Sequence, residues 1–224
     1  FSVVAHDLRG PVGNISAALK YLCSAKETIS KDDCFRFLEP LKEQSDNTFA
    51  LLERLLVWSK SQNNEIKYNP EIFDIKKLAQ DELMGMFPYM ARKGIKTEIK
   101  IEDGFNLWGD RSLISIVMRN LISNAAKFTH AGGSIEIGSS INSRESMKGF
   151  YIKDRGRGMD KDEMRGIIEG KPDIKGGSFG TDGETGTGLG LMICREFIQI
   201  NKGKMLIDSA PDAGTTVTVL LPEG

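Results

Sequence analysis

The segment Asn120-Leu-Ile-Ser-Asn124-Ala-Ala-Lys127-Phe128-Thr129 combines an apolar helical pattern with one polar stripe. Asn120, Asn124 and Lys127 are four and three residues apart, so they lie along one face of a helix while the apolar residues turn away. Carboxamide oxygens are suitable ligands for a hard cation such as Mg²⁺, and a lysine one turn further on can contact phosphate oxygens. The alternative is a buried helix whose amides bond to nearby backbone. This segment by itself is compatible with both interpretations.

Two glycine-containing segments further along the chain favour the phosphate interpretation. Asp154-Arg-Gly156-Arg-Gly158 follows an apolar predicted strand, and a carboxylate at a strand end can accept a hydrogen bond from the exocyclic amine of adenine. Gly186-Thr-Gly188-Leu-Gly190 precedes a second predicted helix, where backbone N–H groups and the helix N-terminus can receive a phosphate. Either segment alone is weak evidence, because turns and helix caps also use glycine. Together, in this order, they are far more specific.

The composition is that of an ordinary globular protein, and its 224 residues suffice for one small and one medium domain. Lys and Arg number 30 against 31 Asp and Glu, so the charge predicts no attraction to nucleic acid or to a membrane surface. Cys23, Cys34 and Cys194 lack metal-ligand spacing and suit free thiols in a reducing cytosol. We therefore expect a cytoplasmic protein.

No apolar run reaches the roughly 20 residues that span a bilayer. The chain begins at Phe1, inside a predicted helix, so we expect it to be part of a longer protein. Any membrane contact would then be made only by segments missing from this chain.

Residues 1–62 are predicted to form two amphipathic helices joined by a polar turn. Apolar residues alternate spacings of four and three in both halves, which is an a/d pattern. The first set is Phe1, Ala5, Leu8, Val12, Ile15, Leu19 and Leu22, and the second is Leu38, Leu41, Ser45, Thr48, Leu52, Leu55 and Ser59. A hairpin of two such helices leaves apolar surface exposed, and pairing two copies into a four-helix bundle would bury it. We therefore predict a homodimer, with a polar linker over residues 63–70.

Residues 71–224 mix strand and helix patterns. Alternating runs predict strands near 71–74, 95–101, 134–140, 149–154, 204–209 and 215–221, and longer periodic runs predict helices near 75–90, 111–128 and 189–200. Residues from about 160 to 183 are glycine-rich and charged, which predicts a mobile loop with a short helix at 161–168. The predicted fold class is α+β: a helical hairpin, then an α/β sandwich with helices packed on one face of a mixed sheet.

The motifs in their order resemble a known family. Phe1-x-x-x-x-His6-Asp7-Leu8-Arg9-x-Pro11 is followed by Asn120-x-x-x-Asn124-Ala-x-Lys127-Phe128, then by Asp154-x-Gly156-x-Gly158 and by Gly186-Thr-Gly188-Leu-Gly190-Leu. This order is similar to that of two-component sensor histidine kinases over nearly the whole chain. The resemblance implies a dimerisation and phosphoacceptor hairpin over residues 1–62. It also implies a catalytic ATP-binding domain of the gyrase, chaperone and histidine kinase superfamily over residues 71–224, with a lid at about 160–183.

The resemblance also implies a role for each motif residue. His6 would be the phosphoacceptor, and Asp7 would orient its imidazole. Asn124 would be the main Mg²⁺ ligand, with Asn120 assisting and Lys127 on the phosphates of ATP. The other ATP-binding residues would be Asp154 at the adenine amine, Gly156 and Gly158 around the base, Gly186, Thr187, Gly188, Leu189 and Gly190 under the triphosphate, and Thr215 beside the adenine. The phosphoryl group would pass from His6 to an aspartate on a response-regulator receiver domain.

Two positions depart from related proteins. ATPases of the same superfamily carry a glutamate where this chain has Asn120, and an amide cannot act as a general base on water, so transfer to histidine is favoured over hydrolysis. Gly10 stands four residues after His6, where many family members carry Thr or Asn to position a water, which puts phosphatase activity in doubt. The alternatives are a catalytically silent dimeric nucleotide-binding scaffold and, less favoured, an ATPase of the same superfamily.

Overall fold

The computed structural model describes residues 2–24, 29–30, 33–38, 40–42, 44–45, 48, 52, 67–169, 181 and 189–224. The side chains of residues 2–9, 11, 168–169 and 189 lie outside this description. The chain divides into two compact units, Phe1–Ile66 and Lys67–Gly224. The predicted linker, residues 63–70, spans the boundary between them.

The first unit contains helix α1, Ser2–Ser24. Where residues between 33 and 52 are described, they are also helical. The unit exposes several large apolar side chains: Val12, Leu19, Tyr21, Phe35, Phe37, Leu38 and Leu52. Exposed apolar surface of this kind is typical of an interface. The hairpin and its pairing into a four-helix bundle stay predictions.

The second unit mixes strands and helices along the described chain. Its elements are β1 (Glu71–Asp74), α2 (Ile75–Arg92), β2 (Lys96–Lys100), β3 (Asn106–Gly109), α3 (Arg111–Phe128), β4 (Ser134–Asn142), β5 (Met147–Asp154), α4 (Lys161–Glu169), α5 (Leu189–Ile200), β6 (Lys204–Ala210) and β7 (Gly214–Pro222). Every strand and helix that the sequence predicted here is present, with small differences at the ends. Among the described helices of both units, none has the length and apolarity needed to cross a membrane.

The larger sheet is mixed, as predicted. Its five strands lie in the order β2-β4-β5-β7-β6. Strand β2 is parallel to β4, and the remaining neighbours are antiparallel. Strands β1 and β3 form a separate two-stranded antiparallel sheet. The sequence did not predict β3, whose four residues are held in place by pairing with β1.

The helices cover one face of this sheet. Alternate residues such as Ile137 on β4 and Ile152 on β5 are buried, whereas Lys153, on the other face, is exposed. Helix α3 packs between α2 and α5 and lies against β5, while α5 lies against β6. Helix α3 contributes the largest set of core side chains: Leu113, Ile114, Val117, Met118, Leu121, Ile122, Ala125 and Ala126. The predicted asparagine helix is therefore the centre of the second unit.

Asp110 fixes the start of α3. It is the N-cap residue, and its Oδ1 accepts hydrogen bonds from the backbone N–H groups of Ser112 at 3.0 Å and Leu113 at 3.2 Å. Its Oδ2 accepts from the N–H of Asn69 at 3.1 Å, and its own N–H donates to Oδ1 of Asn201 at 2.7 Å. One buried carboxylate therefore joins the helix to the segment before β1, while the adjoining N–H joins it to the end of α5.

Replacing this cap should destabilise the second unit. Asp110→Ala leaves three backbone N–H groups without their acceptor, and we expect the free energy of unfolding to fall by about 1–2 kcal/mol. Asp110→Asn is the matched control, because it keeps a side-chain oxygen for the helix N–H groups and should lose less. Urea denaturation followed by circular dichroism measures both. Equal stabilities of the two variants would contradict the capping role.

Candidate functional site

Asp154 ends strand β5 and is buried, with 7% of its surface exposed. Its Oδ1 accepts hydrogen bonds from the backbone N–H groups of Gly156 at 2.9 Å and Thr215 at 3.2 Å. Among the described residues, none donates a hydrogen bond to Oδ2. One oxygen therefore joins the loop after β5 to the start of β7, and the other is available to a ligand that donates a hydrogen bond.

Burial raises the pKa of Asp154 above its ordinary value, and the hydrogen bonds from Gly156 and Thr215 act in the opposite direction. The net direction shows that loss of hydration outweighs these two bonds. A ligand that donates to Oδ2 would favour the charged carboxylate and would therefore lower the pKa of Asp154.

Gly156 and Gly158 bring the loop after β5 close to two other elements. A Cβ at Gly156 would overlap with the carbonyl oxygen of Phe128, and Gly158 has a φ of +64° and lies against the last carbonyl of β6. Thr129 and Gly156 form an isolated antiparallel bridge, and the Arg157 N–H donates to the Phe128 carbonyl at 3.2 Å. The predicted adenine loop is therefore joined directly to the end of α3.

The two asparagines of α3 have different surroundings. Asn120 is buried at 4% exposure, its Nδ2 donates to the Ile116 carbonyl at 2.9 Å, and its Oδ1 lies 3.3 Å from where a Cβ of Gly190 would be. Asn124 is half-buried, and in the part of the chain that the structure covers no hydrogen bond involves its side chain. The side chain of Asn120 thus bonds to its own helix and lies against the start of α5, while the Asn124 oxygen is available to a cation.

The last carbonyls of α3 accept hydrogen bonds from two other parts of the chain. Lys93 is only 6% exposed, and its Nζ donates to the carbonyls of Ala126 at 3.2 Å and Lys127 at 3.0 Å. The N–H and the hydroxyl of Thr181 each lie 3.2 Å from the Lys127 carbonyl, and the hydroxyl lies 3.0 Å from that of Thr129. A positive charge at a helix C-terminus is favourable. The sequence did not indicate Lys93, since a lysine in a turn is ordinarily solvated.

Two cationic side chains lie near the aromatic ring that ends α3. The Lys127 ammonium is 5.1 Å from the centroid of the Phe128 ring, and the guanidinium carbon of Arg157 is 5.2 Å from the same centroid. Lys127 belongs to the asparagine face of the helix, whereas the Arg157 guanidinium is paired with Glu163 at 3.0 Å. Of these two cations, Lys127 is therefore the candidate to contact an anionic ligand.

The structure brings together residues from three of the four predicted motifs. They are Asn120, Asn124 and Lys127 on α3, Asp154, Gly156 and Gly158 after β5, Gly190 at the start of α5, and Thr215 on β7. The remaining members of the last motif, Gly186, Thr187 and Gly188, lie outside the described residues, as does the side chain of Leu189. His6 and Asp7 belong to α1 in the first unit, and their side chains also lie outside the description.

The donor groups at the site suit a hard cation. No group of three or more His, Cys, Asp or Glu side chains that could hold a metal ion occurs among the described residues. A divalent ion would therefore depend on the amide oxygen of Asn124 and on oxygens of the ligand itself. Such an all-oxygen donor set, completed by phosphates and water, is typical of Mg²⁺.

Comparison with known sequences finds relatives across the chain. The family described as "Histidine kinase-, DNA gyrase B-, and HSP90-like ATPase" matches residues 109–224. The adaptive-response sensory kinase SasA of Microcystis aeruginosa is 29% identical over 227 residues, which cover 99% of this chain. The chain spans 58% of the length of that relative.

Solved structures have the same fold. The Acinetobacter baumannii histidine kinase AdeS superimposes with a TM-score of 0.75 at 21% identity, over 98% of each chain. The histidine kinase ThkA, solved in complex with the response regulator protein TrrA, gives a TM-score of 0.68 at 17% identity, over 99% of this chain and 60% of ThkA. At these identities the likeness establishes the fold.

The raised pKa of Asp154 predicts how its neutralisation affects stability. Asp154→Asn keeps an oxygen for the two N–H groups and removes a carboxylate whose charged form burial disfavours, so the free energy of unfolding should rise at neutral pH. Because the folded-state pKa is the higher one, the carboxylate lowers stability above it and has no such effect below the unfolded-state pKa. The gain should therefore shrink as the pH falls through the folded-state pKa.

Urea denaturation of both proteins from pH 7.5 down to about pH 4.5 measures this difference. Asp208→Asn, at an exposed position on β6, is the control and should show no such trend. A variant that is less stable than the wild type by the same amount at every pH would contradict the assignment.

Proposed function

The chain belongs to the family of histidine kinase-, DNA gyrase B- and HSP90-like ATPases, and on this basis we propose that it transfers the γ-phosphoryl group of ATP to His6. The relatives confirm the resemblance to sensor histidine kinases that the motifs indicated. In the proposed sequence, the phosphoryl group then passes from His6 to an aspartate of a response regulator.

The observation that carries the proposal is the environment of Asp154. Asp154 is a buried residue whose Oδ2 has no hydrogen-bond donor among the described residues, and a ligand with an exocyclic amine would supply that donor. Adenine carries an amine at the position where guanine carries an oxygen. Gly156 and Gly158 allow the loop after β5 to lie directly against the backbone of Phe128 and Ala210 beside Asp154. These features support ATP over GTP as the nucleotide, with Thr215 bordering the adenine and positioning Asp154 through its N–H.

The triphosphate would lie between α3 and the start of α5. Mg²⁺ would neutralise charge on the triphosphate. Asn124 is proposed as its main protein ligand, because its side chain has no partner in the described part of the chain, and Asn120 would assist from its position against Gly190. Lys127 is proposed to contact phosphate oxygens. For Gly186, Thr187, Gly188, Leu189 and Gly190 we propose the role that the resemblance implies, in which backbone N–H groups bind the phosphates.

His6 is the proposed nucleophile. Its Nε2 would form a bond to the γ-phosphorus while the bond to the β,γ-bridging oxygen breaks and ADP leaves, with Asp7 accepting a hydrogen bond from Nδ1–H. In the second step the N–P bond breaks as an aspartate oxygen of the response regulator forms a bond to phosphorus. Hydrolysis is disfavoured, since the side chain at position 120 is an amide that cannot accept a proton from water.

The proposed partners follow from the first unit and from the relatives. Its exposed apolar side chains support a homodimer formed through the N-terminal hairpin. The complex of ThkA with TrrA supports a response-regulator receiver domain as the phosphoryl acceptor. We propose no nucleic-acid partner, given a net charge of −1, and a cytoplasmic location with any membrane attachment through segments outside this chain.

Phosphorylation with γ-labelled ATP and Mg²⁺ tests the function directly. The wild type should acquire an acid-labile label, as expected of phosphohistidine, and His6→Ala should acquire none. His130→Ala is the matched control, because His130 is the other histidine of the chain, and it should label as the wild type does. An acid-stable label, or one that persists in His6→Ala, would reject phosphorylation at His6. An unlabelled wild type that binds ATP would support the scaffold alternative.

Nucleotide selectivity tests the role of Asp154 separately. In Asp154→Asn the amide nitrogen can take the place of Oδ2. Both this nitrogen and the adenine amine are hydrogen-bond donors, so they cannot pair, and ATP affinity should fall by about tenfold or more. GTP affinity should fall less or rise, because the amide can donate to the guanine oxygen. Fluorescence titration with labelled ATP and GTP measures both dissociation constants, with Asp208→Asn as the control. Equal losses for the two nucleotides would reject contact between Asp154 and the base.

A further inference from the structure

We propose that Arg157 is a positioning residue of the nucleotide site. Its side chain holds the Phe128 ring, at the end of α3, and the start of helix α4 in place. The inference rests on the proposed ATP-binding function. Arg157 stands between the two glycines of the loop after β5, at a position for which the family resemblance assigned no role.

Arg157 contacts the end of α3 with both its main chain and its side chain. Its N–H donates to the Phe128 carbonyl at 3.2 Å, and its guanidinium carbon lies 5.2 Å from the centroid of the Phe128 ring. Its carbonyl oxygen accepts from the N–H of Asp212, in the turn between β6 and β7, at 2.7 Å. The backbone of Arg157 is therefore fixed from two sides, and its side chain starts from a defined position.

The same guanidinium binds the start of α4. Its Nη2 lies 3.0 Å from Oε1 of Glu163. The other oxygen of Glu163 accepts from the N–H of Asp160 at 3.0 Å, while Oδ1 of Asp160 accepts from the N–H of Glu163 at 2.8 Å, a reciprocal capping box. Glu163 thus takes part in the helix cap and in the ion pair at once. The chain of contacts runs from the Phe128 ring through Arg157 to the first turn of α4.

An ordinary surface ion pair does not explain this arrangement. The Nε of Arg157 is buried and, within the described residues, has no hydrogen-bond partner, which costs free energy. A lysine could pair with Glu163 without burying an unpaired Nε. The planar guanidinium differs from it by stacking on a ring and pairing with a carboxylate at the same time. We infer that the function of Arg157 is to fix the positions of the Phe128 ring and the first turn of α4 relative to each other.

That geometry bears on nucleotide binding. Phe128 follows Lys127 directly, and the Lys127 ammonium lies 5.1 Å from the centroid of the same ring. If the Phe128 ring moved, the end of α3 would move with it, and so would Lys127, the residue proposed to contact phosphate. Arg157 is not one of the residues proposed to react, which are His6 and Asp7. Its loss should therefore weaken ATP binding and leave the turnover of bound ATP unchanged.

The experiment compares Arg157→Ala with a matched control in the same loop. Arg155→Ala removes the arginine on the other side of Gly156, which is exposed and has no side-chain hydrogen bond or ion pair among the described residues. We expect Arg157→Ala to raise the dissociation constant and KM for ATP by about fivefold at unchanged kcat, and Arg155→Ala to change neither. Arg157→Lys, which retains the charge without the planar fork, should restore only part of the affinity.

A double-mutant cycle with Glu163→Gln tests the route of the effect. Glutamine keeps an oxygen for the Asp160 N–H and removes the charge that pairs with Arg157. If Arg157 acts through Glu163, the two substitutions together should raise the ATP dissociation constant by less than the product of their separate effects. Circular dichroism and urea denaturation establish that each variant is folded.

The outcomes separate this inference from the function on which it rests. A wild type that fails to bind ATP would overturn the proposed function and the inference with it. A wild type that binds ATP, with Arg157→Ala as tight as Arg155→Ala, would overturn the inference alone. Independent effects of Arg157→Ala and Glu163→Gln, or a loss confined to kcat, would also overturn it.

Discussion

The fold and the site both depend on the position of α3, and buried charges bind that helix at its two ends. The Asp110 carboxylate accepts hydrogen bonds from the first N–H groups, and the Lys93 ammonium donates to the last carbonyls. Each charge has the sign that the helix dipole favours at its end. Buried ionic groups are ordinarily costly, and here the unpaired backbone groups of the helix termini compensate them. The helix that presents Asn120, Asn124 and Lys127 is thereby fixed along its axis.

Backbone contacts with this helix position the loop after β5, and that loop in turn positions the start of β7. Gly156 lies so close to the Phe128 carbonyl that any side chain would overlap with it, and the bridge to Thr129 continues the contact. Asp154 then binds the start of β7 through the Thr215 N–H. Because the close approaches are made by main chain, the corresponding sequence signal is glycine spacing and not a pattern of large side chains.

This difference explains how much could be predicted from the sequence. Apolar periodicity over many residues predicted the mixed sheet and its covering helices. The family resemblance assigned Asp154, Gly156 and Thr215 to one site, and in the structure hydrogen bonds join these three residues. Strand β3 was not predicted, because its pairing with β1 is visible only in three dimensions. The burial of Lys93 could not be predicted either, since its acceptors lie more than thirty residues away in the chain. The different surroundings of Asn120 and Asn124 arise from Gly190 on α5, which the helical pattern of α3 does not contain.

Hydrogen-bond pairing differs between the buried residues that fix the position of α3 and the residues of the candidate site. The residues that fix α3, namely Asp110, Lys93 and Asn201, all have hydrogen-bond partners although they are buried. In the site, the described residues provide no partner for Oδ2 of Asp154, the Asn124 side chain or the Nε of Arg157. Of these groups, only the Nε of Arg157 is a fully buried unpaired atom among the described residues. Oδ2 of Asp154 and the Asn124 side chain are open to a ligand, and a ligand with a hydrogen-bond donor at one end and a bound cation at the other would pair with both. The magnesium-bound adenine nucleotide proposed as the ligand has this combination.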